Sequence, residues 1–174
     1  INKKDDWKVD VFYMDFKNFF QWQPDANGRP LVRVNGGKFR NVGIEAEYGR
    51  RLSDRLKWNV SGFYSNPRQK EMNETYWKQA APKLQFTTGI RYESPTWEAG
   101  TSFSFVTKRL RNRDGGLNPN IALWNAYVGY HFNKDATLRL DARNLLDRHN
   151  VITNGDYEYW GDPFTYELSY TQKF

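Results

Sequence analysis

The strongest constraint on this chain is an apolar–polar alternation of period two, repeated in segments of about ten residues. In 136–143, Ala136, Leu138, Leu140 and Ala142 share one face, while Thr137, Arg139, Asp141 and Arg143 share the other. In 122–132, Trp124, Ala126, Val128, Tyr130 and Phe132 oppose Asn125, Tyr127, Gly129 and His131. Segments 39–49, 56–65, 84–93 and 163–174 read the same way, and 7–16 and 97–106 follow less cleanly. The chain is therefore expected to be all-β, with about eight strands of the length a tilted strand needs to cross a bilayer.

The connectors between these segments alternate between short and long. Short ones fall near Arg51-Leu52-Ser53-Asp54, Glu93-Ser94-Pro95-Thr96 and Asn133-Lys134-Asp135. Long ones fall at about 17–38, 66–82, 107–120 and 145–162, and they hold the Pro, Asn, Gly and Asp of loops. A soluble sandwich has no reason to collect all its long loops at one end. An outer-membrane barrel has tight periplasmic turns and longer extracellular loops.

Composition agrees with a membrane barrel. Mean hydropathy is −0.88, yet the chain holds 7 Trp, 11 Tyr and 12 Phe among 174 residues. No apolar run approaches the roughly 18 residues of a membrane helix. In a closed barrel the apolar face of each strand meets lipid and the polar face meets the lumen, so a polar average is compatible with insertion. Trp and Tyr suit the aromatic girdles at both interfaces. Cysteine is absent and histidine numbers 2, which excludes a disulfide framework and thiolate chemistry and leaves little for a metal or acid–base site. A soluble lipocalin-like ligand-binding barrel remains a competing reading, since alternation alone fits both. The chain opens at Ile1 with no leader pattern, so a removed leader or a segment of a longer chain is expected. At the other end the alternation runs to Phe174, as if the last strand were paired along its length.

Three runs resemble the TonB-dependent outer-membrane receptors. The run from Val34 to Tyr48, with Asn35, Gly36, Arg40, Gly43 and Glu45 in order, is similar to a stretch that enters a downward barrel strand in that family. The run Leu138 to His149, containing Asn144-Leu145-Leu146-Asp147, resembles the family's penultimate-strand motif, with Leu146 where Phe is usual. Gly161-Asp162-Pro163-Phe164, followed by a strand ending at Phe174, resembles the family's close, with Phe164 where Arg is common.

The resemblance implies a single barrel segment over 1–174: the last eight strands of a plugged barrel of about 22 strands. The plug and the energy-coupling box are not in this chain. The other expectation is a small closed barrel, either a receptor remnant or a stand-alone outer-membrane protein with a structural or adhesion role. The implied work is binding and importing an iron chelate, a siderophore as a rule in this family, in the bacterial outer membrane. No bond chemistry is expected, and no cofactor is bound by this segment; a ferric siderophore is the transported ligand, with haem as the alternative. The implied partners are the rest of the receptor, outer-membrane lipid and, through the plug, the inner-membrane energy-coupling protein.

Candidate residues are assigned by position. Glu45, Glu47, Arg91, Arg139, Asp141, Arg143 and Glu167 fall on polar faces and are expected to face the lumen, as a charge ladder or as contacts for a plug. Phe174 is expected to be the membrane-insertion terminus. The basic run Lys108 to Arg113 lies in a long connector, where it is open to three roles: a solvated loop, contact with the anionic sugar lipid of the outer leaflet, or attraction of an anionic chelate. Arg109, Arg111 and Arg113, with the loop aromatics Trp22, Tyr157, Tyr159 and Trp160, are the ligand-binding candidates. Nucleic acid is disfavoured as a partner because the aromatics line a lipid-facing stripe rather than a stacking platform. His131 and His149 have no companions at metal-ligand spacing, so a protein-held metal is not expected; His149, just past Asp147, falls at a loop position, where the resemblance implies haem ligation as the alternative to a siderophore.

Overall fold

The computed structural model describes residues 4–23, 32–107, 109–110, 116–154 and 158–174. Eight long strands form its frame: β1 (Asp5–Gln23), β2 (Val32–Arg51), β3 (Leu56–Ser65), β6 (Leu84–Glu93), β7 (Trp97–Val106), β10 (Ile121–His131), β11 (Ala136–Arg143) and β14 (Thr165–Gln172). Six short strands decorate the long connectors: β4 (Arg68–Lys70), β5 (Lys78–Gln79), β8 (Arg109–Leu110), β9 (Leu117–Asn118), β12 (Val151–Asn154) and β13 (Glu158–Trp160). The long strands pair antiparallel in chain order, with β1 on β2 at one edge and β14 on β11 at the other. β1 and β14 do not pair with each other among the described residues, so the self-closed small barrel is not what this chain forms.

The register lines up one largely apolar face across all eight long strands. Across β1, β2 and β3 the rows read Trp7·Tyr48·Val60, Val9·Ala46·Gly62 and Val11·Ile44·Tyr64. Toward the other edge they read Trp97·Tyr130·Leu138·Tyr170, Ala99·Val128·Leu140·Leu168 and Thr101·Ala126·Ala142·Tyr166. This face has no protein cover: Val11 is 77% exposed and Leu168 64%. Among the described residues the buried apolar side chains are Ala122, Ala136 and Val151. A water-soluble sheet would bury such a stripe in its own core; here lipid is the only partner that completes it.

Aromatics mark both borders of the stripe. At the hairpin end Tyr48 meets Trp58 edge-on at 5.4 Å, Trp97 meets Tyr130 at 4.8 Å, and Tyr130 meets Phe132 at 4.9 Å. Their polar tips turn toward water: Tyr48 Oη donates to Asp5 at 2.8 Å and Tyr170 Oη to Gln172 at 2.8 Å. At the loop end Tyr13 Oη turns the opposite way and donates to Asp15 at 3.1 Å. At about 3.3 Å per residue and a tilt of about 45°, the stretch from Asp5 to Asp15 rises roughly 24 Å, the height of an outer-membrane apolar band.

Three tight turns share one end, and in each a side chain satisfies backbone amides the turn leaves free. Ser53 Oγ accepts from Leu56 N at 3.1 Å, Ser94 Oγ from Trp97 N at 2.9 Å, and Asn133 Oδ1 from Asp135 N and Ala136 N at 2.8 and 2.9 Å. At the other end β1 and β2 run further than the alternation indicates: 17–23 and 32–38 are paired strand rather than loop. Asn18, at φ 60, sits where the β1 register shifts between Lys17 and Phe19. That bulge reverses the parity and hides the continuation.

Candidate functional site

The polar face is organised around Arg139. Its Nε and Nη2 donate to the two carboxylate oxygens of Asp141 at 2.8 Å each, its Nη1 donates to Glu98 at 2.9 Å, and its guanidinium lies 3.8 Å from the Tyr127 ring centre. Two glycines make room for it. A Cβ at Gly129, directly opposite Arg139, would lie 2.8 Å from the Glu98 side chain; one at Gly100 would lie 2.6 Å from the Tyr127 ring. The bidentate geometry and the half-buried ring stack fix the guanidinium more firmly than an exposed pair would. Arg143 reaches Glu167 at 3.6 Å, both about two-thirds exposed, a contact worth little by itself. It matters because Asp141 and Glu167 stand directly opposite each other, and the two arginines compensate that like-charge pair.

Arg91, Asp141 and Arg143 border a cleft of about 350 Å³ with Asn59, Ser102 and Tyr127. Arg91 also pairs with Glu93. Glu45 and Glu47 lie on the same face further toward β1, opposite Asp10 and Lys8, and Lys8 contacts Asp10 at 2.6 Å. All seven polar-face candidates thus sit on one side of the sheet.

The polar-face column of β1 changes character along its length, a feature the alternation does not reveal. Asp6, Lys8 and Asp10 occupy the hairpin half; Phe12, Met14 and Phe16 occupy the loop half, and after the Asn18 bulge Phe19 joins them. β2 accommodates these rings with glycine. A Cβ at Gly43 would lie 2.6 Å from Phe12, and one at Gly37 would lie 2.5 Å from Phe19; Phe16 meets Phe39 at 6.0 Å. Gly37 and Gly43 are thereby explained by the rings that cross them.

The loop candidates separate into groups. Arg109 donates to the backbone oxygens of Ile152, at 2.8 Å, and Val151, stapling β8 to β12. Burial lowers its guanidinium below the ordinary arginine value. Tyr159 and Trp160 lie on β13, which pairs with β12, and both are more than half exposed; His149 meets Trp160 edge-on at 5.8 Å. Arg109, Tyr159 and Trp160 are therefore gathered at one place, while Trp22 pairs with Arg33 on the far edge of the sheet. Arg111, Arg113 and Tyr157 lie outside the described residues. His131 is at the hairpin end, with Nδ1 2.9 Å from Thr137 Oγ1, and no group of three potential metal ligands occurs among the described residues. Phe174 is fully exposed beyond β14, whose pairing is extended by the Lys173 amide on Asp135 O.

The Asn144–Asp147 run forms a knot at the loop end of β11. Asn144 is 2% exposed at φ 51; its side chain donates to the backbone oxygens of Arg148 and Asp162 at 3.0 Å and accepts from Arg148 N at 3.2 Å. Asp147, at φ 46, accepts from Phe164 N at 2.8 Å. Asn150, also buried, holds both backbone groups of Ala122 at 3.2 Å. The knot ties β10, β11 and the entry to β14 together.

Comparison with known proteins bears on this geometry directly. The family model described as TonB dependent receptor-like, beta-barrel, matches residues 2–145.

The chain belongs to the TonB-dependent receptor β-barrel family.

Members of that family are outer-membrane transporters, not enzymes, and the membership sets aside the soluble lipocalin-like reading. No curated protein sequence matches the chain. Among solved structures it is similar to the ferric citrate transporter FecA (TM-score 0.81, 22% identity, 99% of this chain and 29% of that one). It is likewise similar to the siderophore receptor PiuA of Acinetobacter baumannii (0.80, 15%, 100% and 27%) and to the ferric-catecholate import receptor Fiu of E. coli K12 (0.76, 19%, 100% and 26%). The chain thus spans between a quarter and a third of the length of these receptors. At such identities the likeness is one of fold: this TonB-dependent receptor segment repeats the strand arrangement of its neighbours.

Proposed function

We propose that this chain is the C-terminal wall of a TonB-dependent receptor that binds and imports a ferric chelate, a siderophore first of all. The observation that carries the reading is the column Phe12, Met14, Phe16 and Phe19 at the loop end of the polar face, standing above the charged column Asp6, Lys8 and Asp10. An aromatic vestibule over a polar wall suits a ligand with flat, partly apolar arms and a polar iron centre. Arg109, Tyr159 and Trp160 contribute from the loop end, and neighbours of this fold are named for ferric citrate and ferric catecholates.

The open edges of β1 and β14 suit insertion into a larger barrel of about 22 strands. The Arg139–Asp141–Glu98 cluster and the cleft beside it then face a plug, through which the inner-membrane energy-coupling protein drives transport. A haem ligand is the second reading, favoured by the His149 ring held edge-on by exposed Trp160.

The test is growth of a strain whose only iron-uptake receptor is the full-length protein, on single ferric siderophores and on haem. Support for one siderophore, with uptake lowered about tenfold or more by Phe16→Ser with Phe19→Ser at equal surface level, is expected, since a buried aromatic contact is worth about 1 kcal/mol or more. Growth on haem alone, abolished by His149→Ala, would replace the siderophore reading; growth on neither would overturn both.

A further inference from the structure

The outward face of β1, β2 and β4 continues beyond the apolar stripe and becomes strongly basic there. Above Tyr13·Val42 the next row is Asp15·Arg40·Arg68, and the row after it is Lys17·Lys38·Lys70. Neighbouring strands lie about 4.8 Å apart, so three lysines stand shoulder to shoulder. Like charges directly opposite on a sheet repel and are destabilising without a counter-charge. Arg40 has one, since its Nη2 is 3.8 Å from Asp15, and Arg68 Nε donates to Asn66 Oδ1 at 3.0 Å. Among the described residues none of the three lysines is in an ion pair. Of the two carboxylates on the adjoining loop, Glu71 and Glu74, the second is held by Lys78.

The position of these rows relative to the bilayer decides what the counter-charge is. Tyr13 marks the loop-end border of the apolar stripe, with its hydroxyl turned toward Asp15. The basic rows begin at that Asp15 row, at headgroup height in the outer leaflet. The β4–β5 loop folds over the same outward side: Met72 lies against Gly36, and Trp77 stacks beneath Arg40 at 5.1 Å. Met72 and Tyr76 are more than half exposed there. Cations bordered by exposed Met72 and Tyr76 and by the half-buried Trp77 are the pattern of a surface that holds a phosphate and the apolar material below it together.

We infer that Lys17, Lys38, Lys70, Arg40 and Arg68 form a binding site for the phosphorylated headgroup of an outer-leaflet lipid whose acyl chains run down the apolar stripe below. The site faces away from the lumen, so it is separate from the path of the imported ligand. Its occupant supplies the negative charge the lysine row lacks, which makes bound lipid part of what holds the long β1–β2 hairpin upright.

The full-length receptor, purified in mild detergent and exchanged into nanodiscs, tests this with three probes: a bisphosphorylated glucosamine lipid, its dephosphorylated form, and inorganic phosphate. Lys17→Gln, Lys38→Gln and Lys70→Gln together should weaken retention of the bisphosphorylated lipid by roughly 100-fold, from the usual contribution of a cation near an anionic surface. Lys17→Arg, Lys38→Arg and Lys70→Arg should retain it, and Lys134→Gln with Lys173→Gln at the hairpin end should change nothing. Equal retention by the glutamine and parent proteins overturns the site. Equal retention of the dephosphorylated lipid reduces it to apolar contact, and saturable binding of inorganic phosphate in place of lipid makes it an anion site instead; either overturns the inference. Failure of the glutamine variant to reach the membrane leaves the arginine variant to decide: loss of lipid from a folded arginine protein counts against it.

Discussion

The Arg139 guanidinium is pinned on three sides, with Asp141 taking two of its hydrogen bonds, Glu98 a third, and the Tyr127 ring 3.8 Å beneath it. Asp141 reaches it from two residues along the same strand, and Tyr127 from the neighbouring one. Removing the cation leaves two partly buried carboxylates, Asp141 and Glu98, on one side of the sheet without a donor. Arg139→Ala should lower the stability of the full-length barrel by about 1–2 kcal/mol, the lower part of the usual range because the site is one-third exposed. The check is the temperature at which the receptor loses its folded mobility on a denaturing gel. Arg139→Ala with Asp141→Asn and Glu98→Gln should recover most of the loss.

Leu140 and Arg139 are chain neighbours on opposite faces, which makes them a paired test of orientation. Leu140 stands between Val128 and Leu168 in the middle of the apolar stripe. Leu140→Arg should block assembly or cost about 2–4 kcal/mol, while Arg139→Leu, which introduces nothing polar into lipid, should still insert. Equal insertion defects in a folding assay with lipid vesicles would contradict the assignment of faces.

Asn144 separates two effects that usually travel together. Its φ of 51 favours Asn or Gly, and its side chain satisfies Arg148 and Asp162. Asn144→Gly keeps the backbone but removes those hydrogen bonds, and Asn144→Ala adds backbone strain. Both should leave the strands intact and expose 145–162 to limited proteolysis, with the alanine variant cut faster by a factor of about 5, corresponding to about 1 kcal/mol. Equal cutting rates would mean the side chain, not the backbone, is the whole of the knot.

Glu74 and Lys78 give the β4–β5 loop a pH dependence. Burial pushes the Glu74 carboxyl up, but the hydrogen bond from Lys78 and that from the Glu71 amide outweigh it, so the net value is below the ordinary carboxylate range. Lys78 is raised, chiefly by its hydrogen bond to Glu74. A lowered carboxyl stabilises the folded loop fully above the ordinary value, about 4.3, and the contribution is lost as pH falls through the folded value. A raised lysine keeps its contribution until pH climbs through its folded value, above about 10.4. Amide exchange at Glu71, corrected for its intrinsic rate, should therefore be flat through neutral pH and rise below about pH 4. Glu74→Gln should show the fast rate throughout.

The strand frame was legible because period two is a geometric consequence of the pleat, and every long strand here has one face in lipid. The features that the alternation hid lie where geometry departs from that period. The Asn18 bulge moves Phe19 onto the face of Phe16, so 17–23 reads as loop although it is paired with 32–38. Gly36 and Gly37 suggest a turn, yet they lie inside β2, kept small by Met72 and Phe19. Asn144 and Asp147 form a motif by resemblance, but their left-handed backbone and buried amide contacts carry no periodic signal. The three-lysine row is invisible for a different reason: Lys17, Lys38 and Lys70 are distant in sequence and meet only once register is known.

Arg109 has a mechanical meaning for the loop end. By donating to the backbone oxygens of Val151 and Ile152 it fastens the β8–β9 pair to the β12–β13 pair, and β13 carries Tyr159 and Trp160. A molecule that pulls on either hairpin pulls on both. The two strand pairs are thereby fastened at a single side chain, so Tyr159 and Trp160 cannot shift far without displacing Arg109.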